Sequence, residues 1–362
     1  MKRLSLPVLV AVFFISLVWF VSSRQAVLFL VGIGMGSALA GTRFGFTSGW
    51  RRLIERRDPR GVLAQLLLLA IAAALSMPLL GQYPELVAAL GPPSISLLIG
   101  AFVFGLTMQI ADGCGSGTLY KAGLGVPLNM AILPLFALGS FLGSAHINRW
   151  LELGSLEPIG LVQMLGPMEA FGLTCVGLLL LAGAALRWCG NAMPWFDRRL
   201  WIGALALGVL AALNLLIAGQ PWGVVYGFGL WAAKIATATG AFAPQGNWFW
   251  SQPGNFQILS QSVLLDVTTI TNIGVMAGAL LVSARRSAGQ AQPQRLNGQQ
   301  WMIGLLAGFL MGYSSRLAFG CNIGAMVAGI STGSVHGWIW VPMAFGGTLI
   351  GVRVRRHFNF TG

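Results

Sequence analysis

GLTMQIADGCGSG at residues 105–117 and GYSSRLAFGCNIG at residues 312–324 are two copies of one sequence pattern. They align without a gap, and the alignment places Cys114 on Cys321. Each copy is an apolar run that reaches a glycine-rich break and then resumes, which predicts a helix that stops and restarts. Irregular backbone at membrane depth is tolerated only where it is buried in protein or lines a cavity. Paired breaks in corresponding halves of a chain therefore indicate a transport site between those halves.

Two weaker copies of the pattern accompany the first two. The third copy, residues 36–49, contains RFGFTSG and puts Phe46 where the first two have cysteine. The fourth, within residues 227–241, puts Thr239 at that position. A helix that restarts directs its backbone N–H groups and the positive end of its dipole at the break, which favours an anion there. We expect the broken half-helices to meet at a central constriction that binds an anion.

Glycine-rich breaks can also be sites of close helix packing, and a buried cysteine is often a small hydrophobic side chain. Two gapless copies with Gly-Cys in register favour a functional role over packing. The candidate contact residues at the constriction are Gly113, Cys114, Gly115, Gly320 and Cys321. Cys175 and Cys189 lie outside the repeated pattern, and we assign them to packing.

The composition excludes a water-soluble globular protein. The chain has 362 residues, of which 56% are hydrophobic and 9% are charged, whereas soluble domains carry roughly 25% charged residues. It contains 50 glycines, about twice the usual frequency of roughly 7%. Such an excess is expected where helices pack closely in a membrane. The sequence therefore predicts an all-α polytopic membrane protein.

Apolar runs long enough to cross the bilayer, which needs about 20 residues, recur from end to end. The candidate spans are residues 5–22, 25–42, 61–80, 95–111, 127–147, 161–186, 200–218, 222–240, 258–284, 300–318 and 335–352. Several are short or interrupted by glycine, so we expect about nine to eleven transmembrane or re-entrant helices. The first run resembles a signal peptide but lacks a small-residue cleavage site, and we interpret it as an uncleaved membrane helix.

The formal net charge is +13. It comes mostly from clusters between the apolar runs, so it indicates membrane topology rather than nucleic-acid binding. The cationic clusters lie at residues 2–3, 51–60, 187–199, 285–295 and 353–356. By the positive-inside rule they face the cytoplasm, while residues 81–93 and 241–257 face the other side. The segment 222–257 then enters and leaves on one face, which predicts a re-entrant element.

We divide the chain into a first membrane half, residues 1–190, and a second half, residues 195–362. Residues 287–300 form a polar, proline-containing linker that we expect to lie in the cytoplasm. The four cysteines have no C-x-x-C spacing and the three histidines are widely separated. Neither set forms a metal-binding pattern. The sequence thus predicts no metal and no cofactor.

DGCGSGT at residues 112–118 and FGCNIG at residues 319–324 resemble the signature of the YeeE/YedE family of sulfur-transport proteins. FGFTSGW at residues 44–50 resembles the first motif of that family. The resemblance covers nearly the whole chain and implies a multi-pass protein of the bacterial inner membrane, hourglass-shaped with pseudo-two-fold symmetry. Characterised members take up thiosulfate along cysteines in a central constriction. Two of three such cysteines carry over, to the paired cysteines of the first two copies, and Phe46 stands at the third position.

The resemblance implies a transporter rather than an enzyme, with thiosulfate or a related sulfur anion as its substrate. A soft anion loses hydration in an apolar constriction, where neutral thiols can contact its terminal sulfur through weak S–H donors. Weak contacts at several sites permit passage. A selenium compound is an alternative substrate, and a membrane thiol redox protein that uses Cys114 and Cys321 is an alternative function. Lipid and a separate cytoplasmic sulfur-carrier protein are further expected partners.

Charged residues inside apolar segments are costly and are therefore functional candidates. Arg316 precedes Cys321 by five residues, and Lys234 has the equivalent place in the fourth copy. Both are predicted to draw an anion toward the constriction, and the alternative for Arg316 is that it extends to the membrane interface. Lys121 is predicted to act from a funnel wall or to extend to the membrane interface, and Asp112 to cap the restarted helix. Asp266 either pairs with Arg316 or carries a coupling proton.

Overall fold

A computed structural model describes residues 2–190, 194–285 and 296–360 of the chain. Its α-helices, in chain order, are α1 (Lys2–Phe20), α2 (Ser23–Thr42), α3 (Phe46–Arg56), α4 (Arg60–Gln82), α5 (Ile95–Ile110), α6 (Gly115–Gly123), α7 (Pro127–Leu151), α8 (Leu161–Leu165), α9 (Pro167–Cys189), α10 (Arg198–Ala218), α11 (Val225–Ala238), α12 (Pro253–Ser260), α13 (Val267–Arg285), α14 (Gly298–Leu317), α15 (Ala328–Ser331) and α16 (Val335–His357). Short 3-10 helices occur at Pro244–Gly246 and Val263–Leu265, and a π-helical segment occurs at Asn322–Val327.

Nine helices or interrupted helices in the described ranges are long and apolar enough to cross a membrane. Three of them are broken: α2 continues into α3, α5 into α6, and α14 through the π-helical segment into α15. The unbroken ones are α4, α7, α9, α10, α13 and α16, and Ser5–Phe20 of α1 is a further, shorter apolar segment. α14 takes the last three residues of the predicted linker 287–300, because Asn297 and Gln300 form a capping box at its start. The prediction of an all-α polytopic membrane protein with interrupted helices is confirmed.

Three predicted spans differ from the helices of the structure. The segment 222–240 contains a helix of 14 residues, α11, which is too short to cross a bilayer. The predicted span 161–186 begins only at α9. The reason is that Gly166, with a φ of 90°, and Pro167 end the short α8 and start a new helix. The predicted span 258–284 is likewise shortened, because its first residues belong to α12 and to a 3-10 helix.

The two halves of the molecule pack in the same way. α5 packs along α16, and α7 packs along α14. Both pairs approach so closely that a β-carbon added to their glycines would collide with the backbone of the partner helix. The matched contacts are Gly105 to Ala344 and Gly312 to Phe136, then Gly347 to Phe102 and Gly139 to Phe309. Exchanging α5 with α14 and α7 with α16 therefore converts one set of contacts into the other, and we call this relation the two-fold exchange.

Parts of three predicted cationic clusters meet at one end of the helix bundle. Arg356 pairs with Glu55 at 2.9 Å, and the Arg57 guanidinium donates to the carbonyl oxygen of Trp188 at 3.1 Å. These contacts join the clusters at the C-terminal ends of α3, α9 and α16, as the charge rule predicts for segments on one side of a membrane. Residues 286–295, which hold most of the predicted linker and its cations, lie outside the described residues.

Candidate functional site

Three of the helix breaks have the same local geometry. In each, a residue in the left-handed region follows the first helix, and the residue that caps the next helix comes two positions later. The left-handed residues are Arg43, Asp112 and Phe319, with φ of 54°, 54° and 55°. The corresponding caps are Gly45, Cys114 and Cys321. The backbone hydrogen bonds that close these turns run from Phe44 to Leu39, from Gly113 to Met108 and from Gly320 to Ser315. The repeated sequence pattern is thus a repeated backbone turn.

The helix caps show that the predicted alignment of the third copy is wrong by one residue. Sequence comparison put Phe46 opposite the cysteines, whereas in the structure Gly45 is the cap and Phe46 is the first residue of α3. The difference arises because the third copy has one more residue between its cap and its closing glycine, Gly49. Phe46 is buried and packs edge-on against Phe44, with ring centroids 5.5 Å apart. The position equivalent to the two thiols therefore carries no side chain.

The fourth break also differs from its prediction. α11 ends one residue before Thr239, so Thr239 takes the place that Ala111 holds after α5 rather than that of a cysteine. Its side chain is exposed, and its hydroxyl donates to carbonyl oxygens of its own helix. The other end of α11 lies at the cysteines instead, since a β-carbon on Gly115 would be 3.4 Å from Cγ2 of Val225. The fourth half-helix thus reaches the centre through Val225.

Cys114 and Cys321 are buried, with 1% and 0% of their surface exposed, and neither forms a disulfide. The Cys114 sulfur accepts a hydrogen bond from the backbone N–H of Gly117 at 3.4 Å and lies 3.4 Å from the hydroxyl of Ser116. The Cys321 sulfur accepts from the backbone N–H of Ile323 at 3.4 Å. Each sulfur therefore caps the half-helix that it precedes. Sulfur is a weak acceptor, so these contacts leave the thiols available to other partners.

The two cysteines approach each other through Gly115. A β-carbon on Gly115 would be 3.0 Å from the Cys321 sulfur, so the lack of a side chain lets that sulfur reach the backbone beside Cys114. Gly113 and Gly320 lie against the first turn of the helix that follows each of them, and Gly320 has a φ of 151°. The structure thus brings the glycines and cysteines predicted from the sequence together where the two halves meet.

A small cavity of about 20 Å³ adjoins Cys114. Its walls come from the break at Cys114 and from the third break, at Gly45, and include Phe46, Asp112, Ser116 and Lys121. A space of this size holds roughly one water molecule, so the centre is closed to a larger anion in this conformation. Phe46 and Lys121, both predicted from the sequence, therefore share a cavity with one of the thiols.

Three cations surround the carboxylate of Asp112. Arg51 lies 2.7 Å, Lys121 2.6 Å and Arg355 3.5 Å from its oxygens. The prediction that Asp112 caps the restarted helix is wrong, because Cys114 holds that place and the Asp112 carboxylate instead gathers cations from three helices. Three cations against one carboxylate leave an excess of two positive charges. Such an excess beside the cavity favours an anion.

A larger cavity, of about 540 Å³, holds Arg316. The Arg316 Nε donates to the hydroxyl of Ser144 at 2.7 Å, and the guanidinium lies over the rings of Tyr226 and Phe249, 5.6 and 5.2 Å from their centroids. No carboxylate of the described residues forms an ion pair with Arg316. Phe319, two residues before Cys321 in the second break, also lines this cavity. An arginine without a carboxylate partner there offers donors to an anion.

Lys234 and Asp266 both form their contacts at helix ends. The Lys234 ammonium donates to three carbonyl oxygens at and just beyond the C-terminal end of α12, at 2.5 to 2.8 Å. The carboxylate of Asp266 accepts from the backbone N–H and the hydroxyl of Thr269, at 2.7 and 2.6 Å, in the first turn of α13. Lys234 therefore stabilises a helix end, and Asp266 caps a helix rather than pairing with Arg316.

Sequence reasoning missed several polar side chains at these cavities. Arg51 and Arg355 belong to cationic clusters that the charge rule assigns to loops, yet they are 7% and 4% exposed and bind Asp112. One signal for Arg51 was its position two residues after the end of the third copy of the repeat. Ser144 and Tyr226 lie in predicted apolar spans and outside the repeated pattern, so no pattern marks them.

Known proteins resemble this chain over most of its length. A family model described as sulphur transport matches residues 41–350. Thiosulfate transporter TsuA of Spirochaeta thermophila is 24% identical over 324 residues, which cover 86% of this chain and 92% of that protein. Thiosulfate transporter TsuA of Escherichia coli is 22% identical over 338 residues, which cover 86% of this chain and 88% of that protein. The region matched by the family model includes all of the breaks described above.

Proposed function

This chain belongs to the sulphur-transport family, and we propose that it carries thiosulfate or a closely related sulfur anion past the thiols of Cys114 and Cys321. The observation that carries the proposal is the approach of the Cys321 sulfur to Gly115, which joins the two thiol-bearing breaks where the halves meet. We further propose that the membrane is the bacterial inner membrane, since both relatives compared above are bacterial and the chain is a helical bundle.

The thiols suit a soft anion. Thiosulfate loses hydration when it enters an apolar constriction, and this loss is costly unless new contacts replace it. A neutral thiol offers a weak S–H donor to the terminal sulfur of the anion. Because each contact is weak, the ion passes from Cys114 to Cys321, or the reverse, without being trapped. Phe46 narrows the neighbouring cavity in the proposed path.

The charges on either side of the thiols support an anion as the substrate. Arg316 lies in the larger cavity without a carboxylate partner, and Lys121 belongs to the group around Asp112 that keeps an excess of positive charge. An anion that approaches from either cavity therefore meets a favourable potential. Lys234 and Thr239 are left out of the proposed path, because Lys234 binds α12 and Thr239 is exposed at the far end of α11.

A membrane thiol redox enzyme is less well supported by the geometry. Thiol–disulfide exchange needs a thiolate that a partner can reach, whereas Cys114 and Cys321 are 1% and 0% exposed. A selenium anion would use the same contacts as thiosulfate. The experiment that tests the proposal therefore compares sulfur and selenium anions directly.

We would reconstitute the purified chain in liposomes and measure the uptake of radiolabelled thiosulfate. The expected result is uptake well above that of liposomes that carry the Cys114→Ala, Cys321→Ala double variant. Unlabelled thiosulfate, sulfite, selenite and sulfate are then added as competitors, and thiosulfate should compete most strongly. Equal uptake by the chain and by the double variant would contradict the proposed function, and stronger competition by selenite would identify a selenium anion as the substrate.

A further inference from the structure

Asn322 directly follows Cys321 and is fully buried, with 0% of its surface exposed. Neither the nitrogen nor the oxygen of its side-chain amide has a hydrogen-bond partner among the described residues. Burying an unpaired amide is costly, and native proteins rarely leave both polar atoms of a buried side chain unpaired. The amide of Asn322 is therefore available to a partner that is not part of the chain.

The two-fold exchange indicates which way Asn322 faces. It carries Cys114 onto Cys321 and Gly115 onto Asn322. The two cysteines have similar backbone angles, φ −81° and ψ −169° for Cys114 and φ −94° and ψ −165° for Cys321. Since a β-carbon on Gly115 would be 3.0 Å from the Cys321 sulfur, the exchange directs the β-carbon of Asn322 toward Cys114. The centre thus has a thiol from each half but an amide from the second half alone.

We propose that the Asn322 amide binds the oxygen atoms of the transported anion while the thiols contact its terminal sulfur. This inference rests on the proposed function and names its substrate class, which is sulfur anions that carry oxygen atoms. A side-chain amide donates two hydrogen bonds and carries no charge, so it recognises an oxyanion without holding it tightly. A buried donor rejects an analogue that lacks the matching acceptor, because the donor is then left unpaired. Hydrosulfide, which has sulfur but no oxygen, is rejected on this ground.

Three variants separate hydrogen bonding from packing. Asn322→Ser keeps a donor in a smaller side chain, Asn322→Gly copies the residue that the fold already accepts at Gly115, and Asn322→Asp keeps the volume but replaces the donors with a negative charge. We expect thiosulfate uptake to decrease in the order wild type, Asn322→Ser, Asn322→Gly, Asn322→Asp. The KM of Asn322→Gly for thiosulfate should rise by about tenfold or more. A packing role instead predicts that uptake follows side-chain volume, so that the isosteric Asn322→Asp is closest to wild type and Asn322→Gly is the lowest.

The matched control is Asn214→Ser on α10, where the amide is already paired. Its nitrogen donates to the carbonyl oxygen of Gln220 at 3.1 Å, and its oxygen accepts from the hydroxyl of Thr271 at 3.3 Å. This control should take up thiosulfate within about twofold of wild type. Uptake by Asn322→Asp within about twofold of wild type, in a preparation where the cysteine variants are inactive, would overturn the role of Asn322 alone. Absence of thiosulfate uptake by the wild-type chain would instead overturn the proposed function.

Discussion

Arg316 and Gln109 occupy the same position in the two halves of the molecule, five residues before Cys321 and Cys114 respectively. Arg316 lies in a cavity of about 540 Å³. Gln109 is fully buried, and its amide nitrogen donates to the carbonyl oxygen of Thr47 at 3.3 Å. The two-fold exchange therefore places a cation on the Cys321 side of the paired cysteines and a neutral amide at the matching position on the Cys114 side.

Replacing Arg316 with its counterpart should weaken the attraction of the larger cavity for the substrate. We expect Arg316→Gln to raise the KM for thiosulfate by about tenfold, since a charged donor to the anion is lost. The wild-type rate should also fall more steeply with added salt than the rate of the variant. Initial uptake rates at several KCl concentrations measure both effects. Arg57→Gln, at the end of the bundle near Trp188, removes the same charge and should leave the KM unchanged.

The thiols are the second test. Cys114→Ala and Cys321→Ala should each lower thiosulfate uptake by roughly ten- to hundred-fold, because a desolvated anion loses one donor. Each change should cost only about 1–2 kcal/mol of stability, at the low end for buried truncations. Cys175→Ala and Cys189→Ala are the controls and should transport normally. Serine at either site should restore little, because a hydroxyl is a poorer match for sulfur. Uptake near the wild-type rate by the double variant would remove the thiols from the mechanism.

The third break offers a gain of function. Gly45 caps α3 as the cysteines cap their helices, and its φ of −131° suits any residue. A β-carbon there meets the hydroxyl of Ser48, which can rotate away. Gly45→Cys should therefore raise thiosulfate uptake by about twofold or more, as expected for one additional weak hydrogen bond. Gly41→Cys is the matched control, because a β-carbon at Gly41 meets no atom within 4 Å. An unchanged Gly45→Cys rate would show that this break does not contact the substrate, and a decrease would contradict the predicted gain.

Asp112 should be needed for the fold rather than for binding. Asp112→Asn leaves Arg51, Lys121 and Arg355 close together without their carboxylate, and we expect a loss of about 2–3 kcal/mol in stability. The temperature of unfolding in detergent measures this loss. The double variant Asp112→Asn, Arg51→Gln also removes one of the three cations, and it should recover part of the lost stability. A variant as stable as wild type would mean that the three cations are held by other contacts.

Much of the fold follows from the sequence, because membrane helices need long apolar runs and those runs are visible. The paired breaks at Cys114 and Cys321 were predictable since both keep Gly-Cys in register. The position equivalent to the cysteines was predicted one residue too late in the third copy, at Phe46 instead of Gly45. The spacing from Gly36 to Gly45 equals that from Gly105 to Cys114. Counting from the first glycine of the copy would have given the correct position.

The fourth half-helix could not be placed from its similarity to the other copies. α11 reaches the centre with its first residue, Val225, whereas the degraded repeat lies at its other end. The glycines and proline at residues 219–223 mark a helix break, but they do not indicate which end of the next helix lies at the cysteines. Partners such as Ser144 for Arg316 and Thr269 for Asp266 depend on packing between distant helices, so local patterns do not contain them.

The glycine contacts along α5 and α16 and along α7 and α14 have a mechanical consequence. At Gly105 and Gly312, for example, even an added methyl group would collide with the facing backbone. Helices packed this closely resist translation and rotation against each other, because there is no free volume between their surfaces. The same close packing occurs on both sides of the two cysteines, so the helix pairs α5–α16 and α7–α14 form a rigid scaffold around them. We therefore expect the passage to widen through small movements of the half-helix ends at Cys114 and Cys321 within that scaffold. A rigid-body rotation of one half of the molecule against the other is not expected.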